Sequence, residues 1–175
     1  EADVQVIFGI EALSMENSNN NVEIFTNRGI IKSEHCIIAT NGFASQWIDE
    51  DIQPARAQVL VTNPIPNLKV RGTFHYEKGY YYFRNIGDRI LLGGGRNIDI
   101  KGENTANFGT TDAIQNRLKS LLRETILPNE EFNIDYTWSG IMGVGATKSP
   151  ILRMLNKNTA IGVRLGGMGV ALGSQ

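Results

Sequence analysis

From about Thr111 to Thr125 apolar residues recur at helical spacing, with Ile114, Leu118, Leu121 and Leu122 forming one stripe. Thr110 or Thr111 stands where a cap is needed, and Pro128 lies beyond the far end. Elsewhere the chain consists of short apolar runs cut by turn residues. A sequence with one long amphipathic helix and many short strands has to fold as α+β, with most of its core contributed by sheet.

The strands differ in kind along the chain. Val4–Phe8 and Ile10–Leu13 come first, and the polar stretch Glu16–Asn21 reads as a turn because Asn tolerates left-handed backbone. Val22–Thr26 alternates, Asn27-Arg28-Gly29 turns, and Ile30-Ile31 begins a return strand, so the opening is a small antiparallel meander. His35–Ala39 is instead continuously apolar, the pattern of a strand covered on both faces in a parallel sheet. Thr40-Asn41-Gly42 ends it, followed by a helical turn at Ala44–Ile48 with Trp47 turned inward. Further strands are expected at Gln58–Thr62, Tyr80–Arg84 and Arg89–Leu92, with Asn85–Asp88 as a hairpin turn. Phe132–Trp138 and Thr159–Arg164 are the last. The run Leu165-Gly166-Gly167-Met168-Gly169-Val170-Ala171 then opens a helix that meets the chain end at Gln175 after two turns, too short to be stable alone.

Composition narrows the function. With 41 % apolar and 20 % charged residues, a packed core is expected rather than disorder. Seventeen basic and eighteen acidic side chains give a net charge of −1, and no Lys/Arg cluster provides a nucleic-acid surface. Cys36 is the sole cysteine and reads as an inert core thiol; His35 and His75 show no metal-ligand spacing. No apolar stretch is long enough to span a bilayer, and Glu1-Ala2-Asp3 does not open a signal peptide. The expected location is cytoplasmic. The lack of an initial Met reads as a piece of a longer protein.

A glycine-rich turn at the start of a helix exposes unpaired N–H groups, which hold phosphate or another electron-rich group. The plain alternative is a tight turn where glycines permit close packing. No Gly-x-Gly-x-x-Gly follows the first strand, so a complete nucleotide site is not present in these residues.

Four pieces, in order, resemble one family: the FAD-dependent oxidoreductases of the D-amino-acid oxidase, glycine oxidase and sarcosine oxidase type. Ile37-Ile38-Ala39-Thr40-Asn41-Gly42 looks like the late strand of its FAD domain. Pro54-Ala55-Arg56-Ala57-Gln58 resembles the Pro-x-Arg-Gly-Gln entry to the substrate domain, with Ala57 where Gly is usual. Trp138-Ser139-Gly140, with Pro150 at a distance, is similar to the segment before the final strand. Gly166-Gly167-Met168-Gly169-Val170-Ala171 resembles the loop that contacts the flavin. The resemblance implies a partial FAD-binding domain, made of late segments of a Rossmann-like flavoprotein fold, joined to a mostly antiparallel substrate domain. Residues 1–52 and 139–175 fall to the first and 53–138 to the second. It implies FAD as cofactor, held by Thr40, Asn41 and Gly42 on the adenosine side and by Gly166, Gly167, Met168, Gly169 and Val170 at the flavin. The parent protein would oxidise the C–N bond of a small amine or amino acid to an imine.

One departure bears on the substrate. Amino-acid-oxidising members often place an arginine where Met142 stands, and a thioether cannot form a guanidinium's paired bonds to a carboxylate. Either another basic residue serves, with Arg96 ahead of Arg56, Arg84 and Lys148, or the substrate is an amine without a nearby carboxylate. For each of these cations a solvated or ion-paired surface role is the alternative. Tyr80, Tyr81 and Tyr82 offer rings to a substrate pocket, or to cross-strand packing. No acid–base dyad is visible, so no catalytic side chain is assigned. A non-catalytic module that keeps the flavoprotein fold is the rival reading, and self-association of the chain on its own is a secondary expectation.

Overall fold

The computed structural model describes residues 4–18 and 20–174. Glu1–Asp3, Asn19 and Gln175 lie outside them, and with them part of the readings of the chain start, the asparagine turn and the chain end. The described residues divide into two compact units, one of residues up to 40 plus 150–163, the other of 41–149 plus 164 onward.

The first unit holds two three-stranded sheets. β1 (Ala12–Asn17), β2 (Val22–Thr26) and β3 (Gly29–Ser33) form the expected antiparallel meander. β1 runs through Glu16 and Asn17, which pair with Glu23 and Val22, so the turn is later than the sequence suggested. The Ser18 hydroxyl accepts the Asn21 N–H at 3.2 Å there, and ladder pairing overrides the turn preference of Asn17. Val4–Phe8 is not a strand: no strand pairs with it among the described residues, and Phe8 is exposed.

In the second sheet β4 (Cys36–Ile38) lies parallel to β11 (Thr159–Val163), which pairs antiparallel with β10 (Ile151–Met154). The parallel pairing expected for this apolar run is present. Its coverage on both faces is not: Ile38 is buried, but Ile37 on the opposite face is exposed. Alternation puts Ile38, Ile151, Ile161 and Val163 inside, while Ile37, Leu152 and Met154 are 75 %, 63 % and 57 % exposed. Cys36 is half-buried, and burial pushes its thiol pKa up, which keeps it protonated. Thr159 Oγ1 donates to Asn17 Oδ1 at 2.7 Å, and Asn158 Nδ2 donates to the Glu34 carbonyl at 2.7 Å.

The second unit is built on a five-stranded antiparallel sheet of order β6-β7-β8-β5-β9. These strands are β5 (Gln53–Thr62), β6 (Thr73–Tyr76), β7 (Tyr81–Ile86), β8 (Arg89–Gly94) and β9 (Ile134–Val144). β5 and β9 are longer than the sequence suggested. They pair from Gln53↔Val144 to Thr62↔Ile134, so Pro54 and the Gly140–Gly143 run are strand residues. One face of the sheet packs on α1 (Asp112–Leu121), whose Ile114, Leu118 and Leu121 join Leu60, Tyr81, Ile90 and Leu92 in the core. Each such burial is worth about 1.5–3 kcal/mol, so the stripe rather than helix propensity holds α1 in place. Thr111 occupies the cap position without a capping bond; its hydroxyl accepts from Gln58 Nε2 at 3.0 Å. Beyond α1 the chain widens into a π turn, Leu122–Ile126, where the Leu127 N–H reaches the Leu122 carbonyl at 2.7 Å. Asn41–Gln46 forms a 3-10 segment, after which Trp47 is only half-buried. No helix among the described residues is long and apolar enough to cross a membrane.

Candidate functional site

The glycine-rich tail is anchored at its start to other residues of the second unit. Arg164 has left-handed backbone (φ 58°), and its guanidinium donates to the Ser149 carbonyl at 2.9 Å and the Asp51 carbonyl at 3.1 Å. Asp51 is itself fixed, its carboxylate accepting the Ala146 N–H at 2.6 Å. The Leu165 N–H donates to Asn41 Oδ1 at 3.2 Å, the Gly166 N–H to the Gly143 carbonyl at 3.1 Å, and the Met168 N–H to the Leu165 carbonyl at 3.1 Å. Among the described residues the Gly167 N–H has no acceptor. Met168 and Val170 are exposed beside it, at 52 % and 93 %. The helix that follows, α2 (Gly169–Gly173), has five residues. A dipole that short adds little, so the capacity of the tail to bind lies in individual N–H groups of the turn.

Gly42 fits against β9 with no room to spare. A Cβ there would stand 2.8 Å from both Ile141 Cγ2 and the Met142 carbonyl oxygen. Asn41 adopts left-handed backbone (φ 42°). The Thr40 hydroxyl is buried and has no partner, a group that burial alone does not explain. Met142 is half-buried, and its Sδ lies 3.8 Å from where a Cβ on Gly167 would be, so it underlies the free amide.

The substrate candidates do not gather in one place. The register puts Arg56 on the α1 face of the sheet with Gln58 and Leu60, and Met142 on the opposite face with Ala57, Val59, Gly93 and Tyr82. Arg56 is paired through two nitrogens with Glu103, at 2.6 and 3.0 Å, and Glu103 is fully buried. That hydrogen-bonded carboxylate pushes the Arg56 pKa further up, so the guanidinium stays charged. Gln58 Nε2 adds a third bond to Glu103 at 3.0 Å. Arg96 donates to the Asn104 side chain, while its Nε is buried without a partner. Tyr80 is 53 % exposed, just before β7.

Tyr82 is the most telling of these residues. A Cβ on Gly93 would lie 2.6 Å from the Tyr82 Cζ and hydroxyl and 2.5 Å from Val59 Cγ1, so the ring lies across the glycine against Val59. Burial pushes the phenol pKa up, and the hydroxyl makes no hydrogen bond to a described residue. Trp138, paired with Val59, extends this row on the open face and is 46 % exposed. The sequence did not mark Gly93, Val59, Asp51 or Gly143 as site residues. The only available signal was the Gly93-Gly94-Gly95 run that follows the expected strand Arg89–Leu92. Two surface cavities, of about 550 Å³ beside Asn63 and Phe132 and about 310 Å³ beside Lys69 and Phe83, involve none of the candidates.

Residues 1–174 match the family described as DAO, FAD dependent oxidoreductase. The bifunctional protein ThiO/ThiG of Trichormus variabilis is 27 % identical over 135 residues, 75 % of this chain and 20 % of that protein. Among solved structures, L-proline dehydrogenase from P. horikoshii superposes with a TM-score of 0.72 at 20 % identity, covering 91 % of this chain and 45 % of the other. Glycine oxidase from Geobacillus kaustophilus gives 0.75 at 14 % identity, covering 93 % and 44 %. At these identities the likeness is one of fold. The chain spans less than half the length of these two structures and about a fifth of the curated relative.

Proposed function

Since this chain belongs to the DAO family of FAD dependent oxidoreductases, we propose that it forms part of an enzyme oxidising the C–N bond of an amine or amino acid to an imine, which water hydrolyses. The observation that carries this reading is the Leu165–Val170 turn, where among the described residues the N–H groups of Gly167, Gly169 and Val170 have no acceptor and Gly167 lies beside the Met142 thioether. The names of two structural neighbours, a proline dehydrogenase and a glycine oxidase, agree with an amino-acid or amine substrate.

The residues present fit one edge of FAD. Gly166 and Gly167 have no side chain to block approach, and Met168 and Val170 offer exposed apolar surface beside a free donor, the combination a flat ring with a polar rim requires. The unpartnered Thr40 hydroxyl, with the backbone of Asn41 and Gly42, is assigned to the adenosine side. No N–H cradle for a pyrophosphate is assigned within this sequence. FAD, when bound, supplies the two-electron acceptor for the oxidation. The Gly167 N–H would hold the cofactor edge where charge accumulates, and a donor already in position would favour the charged state.

Residues 1–52 and 139–175 are assigned to the FAD-binding part and 53–138 to the substrate domain. In support, the smaller compact unit falls wholly within the first two segments. On the open face of the sheet Tyr82, with its free hydroxyl, and Met142 are the substrate-facing residues. Arg56 is already satisfied by Glu103 on the other face, and Arg96 stands ahead of Arg84 and Lys148 as the candidate partner for a carboxylate. A substrate amine lacking that carboxylate is the second reading, favoured by Met142 at the arginine position of the family. The test is anaerobic mixing of the FAD-loaded full-length protein with a panel of amines and amino acids. Loss of the oxidised-flavin absorbance is expected with at least one, and Arg96→Ala should raise KM only for substrates with a carboxylate. No reduction by any member of the panel would favour a non-catalytic module.

A further inference from the structure

Resting on that reading, we propose that the Asn41 side chain is a positioning group for the flavin edge, acting through the Leu165–Met168 turn rather than by touching the cofactor. Three observations converge on it. Asn41 is held in left-handed backbone, which Asn and Gly adopt more readily than other residues. Its Oδ1 accepts the Leu165 N–H at 3.2 Å, and a Cβ on Gly143 would stand 2.8 Å from that same oxygen. The Gly143 carbonyl in turn accepts the next amide, Gly166, at 3.1 Å. Asn41 and Gly143 thereby take up two consecutive N–H groups, and Gly167 is the first of the amides that follow, with Gly169 and Val170, to have no acceptor among the described residues. Without the carboxamide, the Leu165 N–H loses its acceptor, and the turn is free to rotate that amide or Gly167 toward any acceptor nearby. The carboxamide thus fixes the turn from which Gly167 and the amides after it are offered to a ligand.

The substitutions follow from this division of roles. Asn41→Gly keeps the backbone conformation and removes the acceptor; Asn41→Asp keeps an acceptor oxygen at the same place. In the FAD-loaded full-length protein, Asn41→Gly should raise the FAD Kd about three- to tenfold, the value of one hydrogen bond. It should also move the flavin midpoint potential to a more negative value, because a reduced, negatively charged flavin loses a donor. Asn41→Asp should restore the affinity. An Asn41→Gly protein with the parent's affinity and potential would overturn the proposal, and so would an Asn41→Asp protein as impaired as Asn41→Gly. Amide hydrogen exchange on the unmodified protein gives a readout that no folding defect can obscure. Leu165 should be protected with or without FAD, and Gly167 should become protected only when FAD is added. Equal exchange at Gly167 in both states would also overturn it. A parent protein that binds FAD but is reduced by no amine would sink the catalytic reading, and these measurements would still decide the role of Asn41.

Discussion

At Gly42 an added methyl group would meet the backbone oxygen of Met142, which cannot swing aside as the end of a side chain can. Gly42→Ala is therefore expected to cost about 1–3 kcal/mol in a urea unfolding measurement. Gly140, two residues before Met142 on the same strand, has nothing within 4 Å of its Cβ position, and Gly140→Ala should leave the midpoint nearly unchanged. Tyr82 yields a prediction in pH. Its phenol pKa is raised above the ordinary 10.0 by burial, so the folded state holds the proton more tightly than the unfolded one. The associated stability is complete below pH 10.0 and is lost as the pH rises through the higher folded value. Tyr82→Phe should flatten that alkaline decline in melting temperature while changing little at neutral pH, since no hydrogen bond is forfeited. The left-handed backbone at Asn41 and Gly166 falls on residue types that adopt it locally, so it was within reach of the sequence. The reason for Gly93 was not: it depends on a ring brought alongside by the pairing of β7 with β8.

The element that most repays perturbation is the polar clasp on the α1 face of the sheet. Glu103 is fully buried, doubly bonded to Arg56 and bonded again by Gln58, whose Oε1 receives the Thr111 N–H at 3.0 Å and Gln115 Nε2 at 3.2 Å. This ties the segment before α1 to β5. Glu103→Ala strands a buried guanidinium and should cost about 3–5 kcal/mol, whereas the double change Arg56→Met with Glu103→Leu should recover most of that loss. Thermal melts of the three variants decide it, and a double variant as unstable as the single one would contradict this account. Within α1, Leu118→Ala should cost about 2–5 kcal/mol, as expected for a side chain with no exposure. The helix was readable from its stripe, and the β2 and β3 strands from their alternation. β10 was not, since Ile151–Met154 is short and owes its conformation to its partner β11. Arg56 looked like a candidate clamp because its partner Glu103 is 47 positions distant, beyond the reach of any local pattern.

At the scale of the whole chain, the residues provide one edge of a cofactor site and a sheet face on which Tyr136 and Trp138 are exposed. The 175-residue protein purified alone is expected to bind FAD weakly, since the turn at Gly167 must fix a large flexible ligand without a pyrophosphate cradle. A sub-micromolar Kd by fluorescence titration would show a more complete site. Ile37, Leu152 and Met154 share the exposed face of one small sheet, so self-association rising with concentration is expected in light scattering. A monomer throughout the micromolar range would contradict it. The pairing of β4 with β11 also has a consequence in time. Cys36 and its partner Thr159 are separated by about 120 residues, which a ribosome adds in roughly 6–25 s at about 5–20 residues per second. During synthesis β4 therefore waits, apolar and without its parallel partner, long after β2 and β3 have closed their own hairpin. Loop-closure entropy places that contact late in refolding as well. Pulse-labelled hydrogen exchange should find the β2–β3 amides protected first and those of Ile37 and Ile38 among the last.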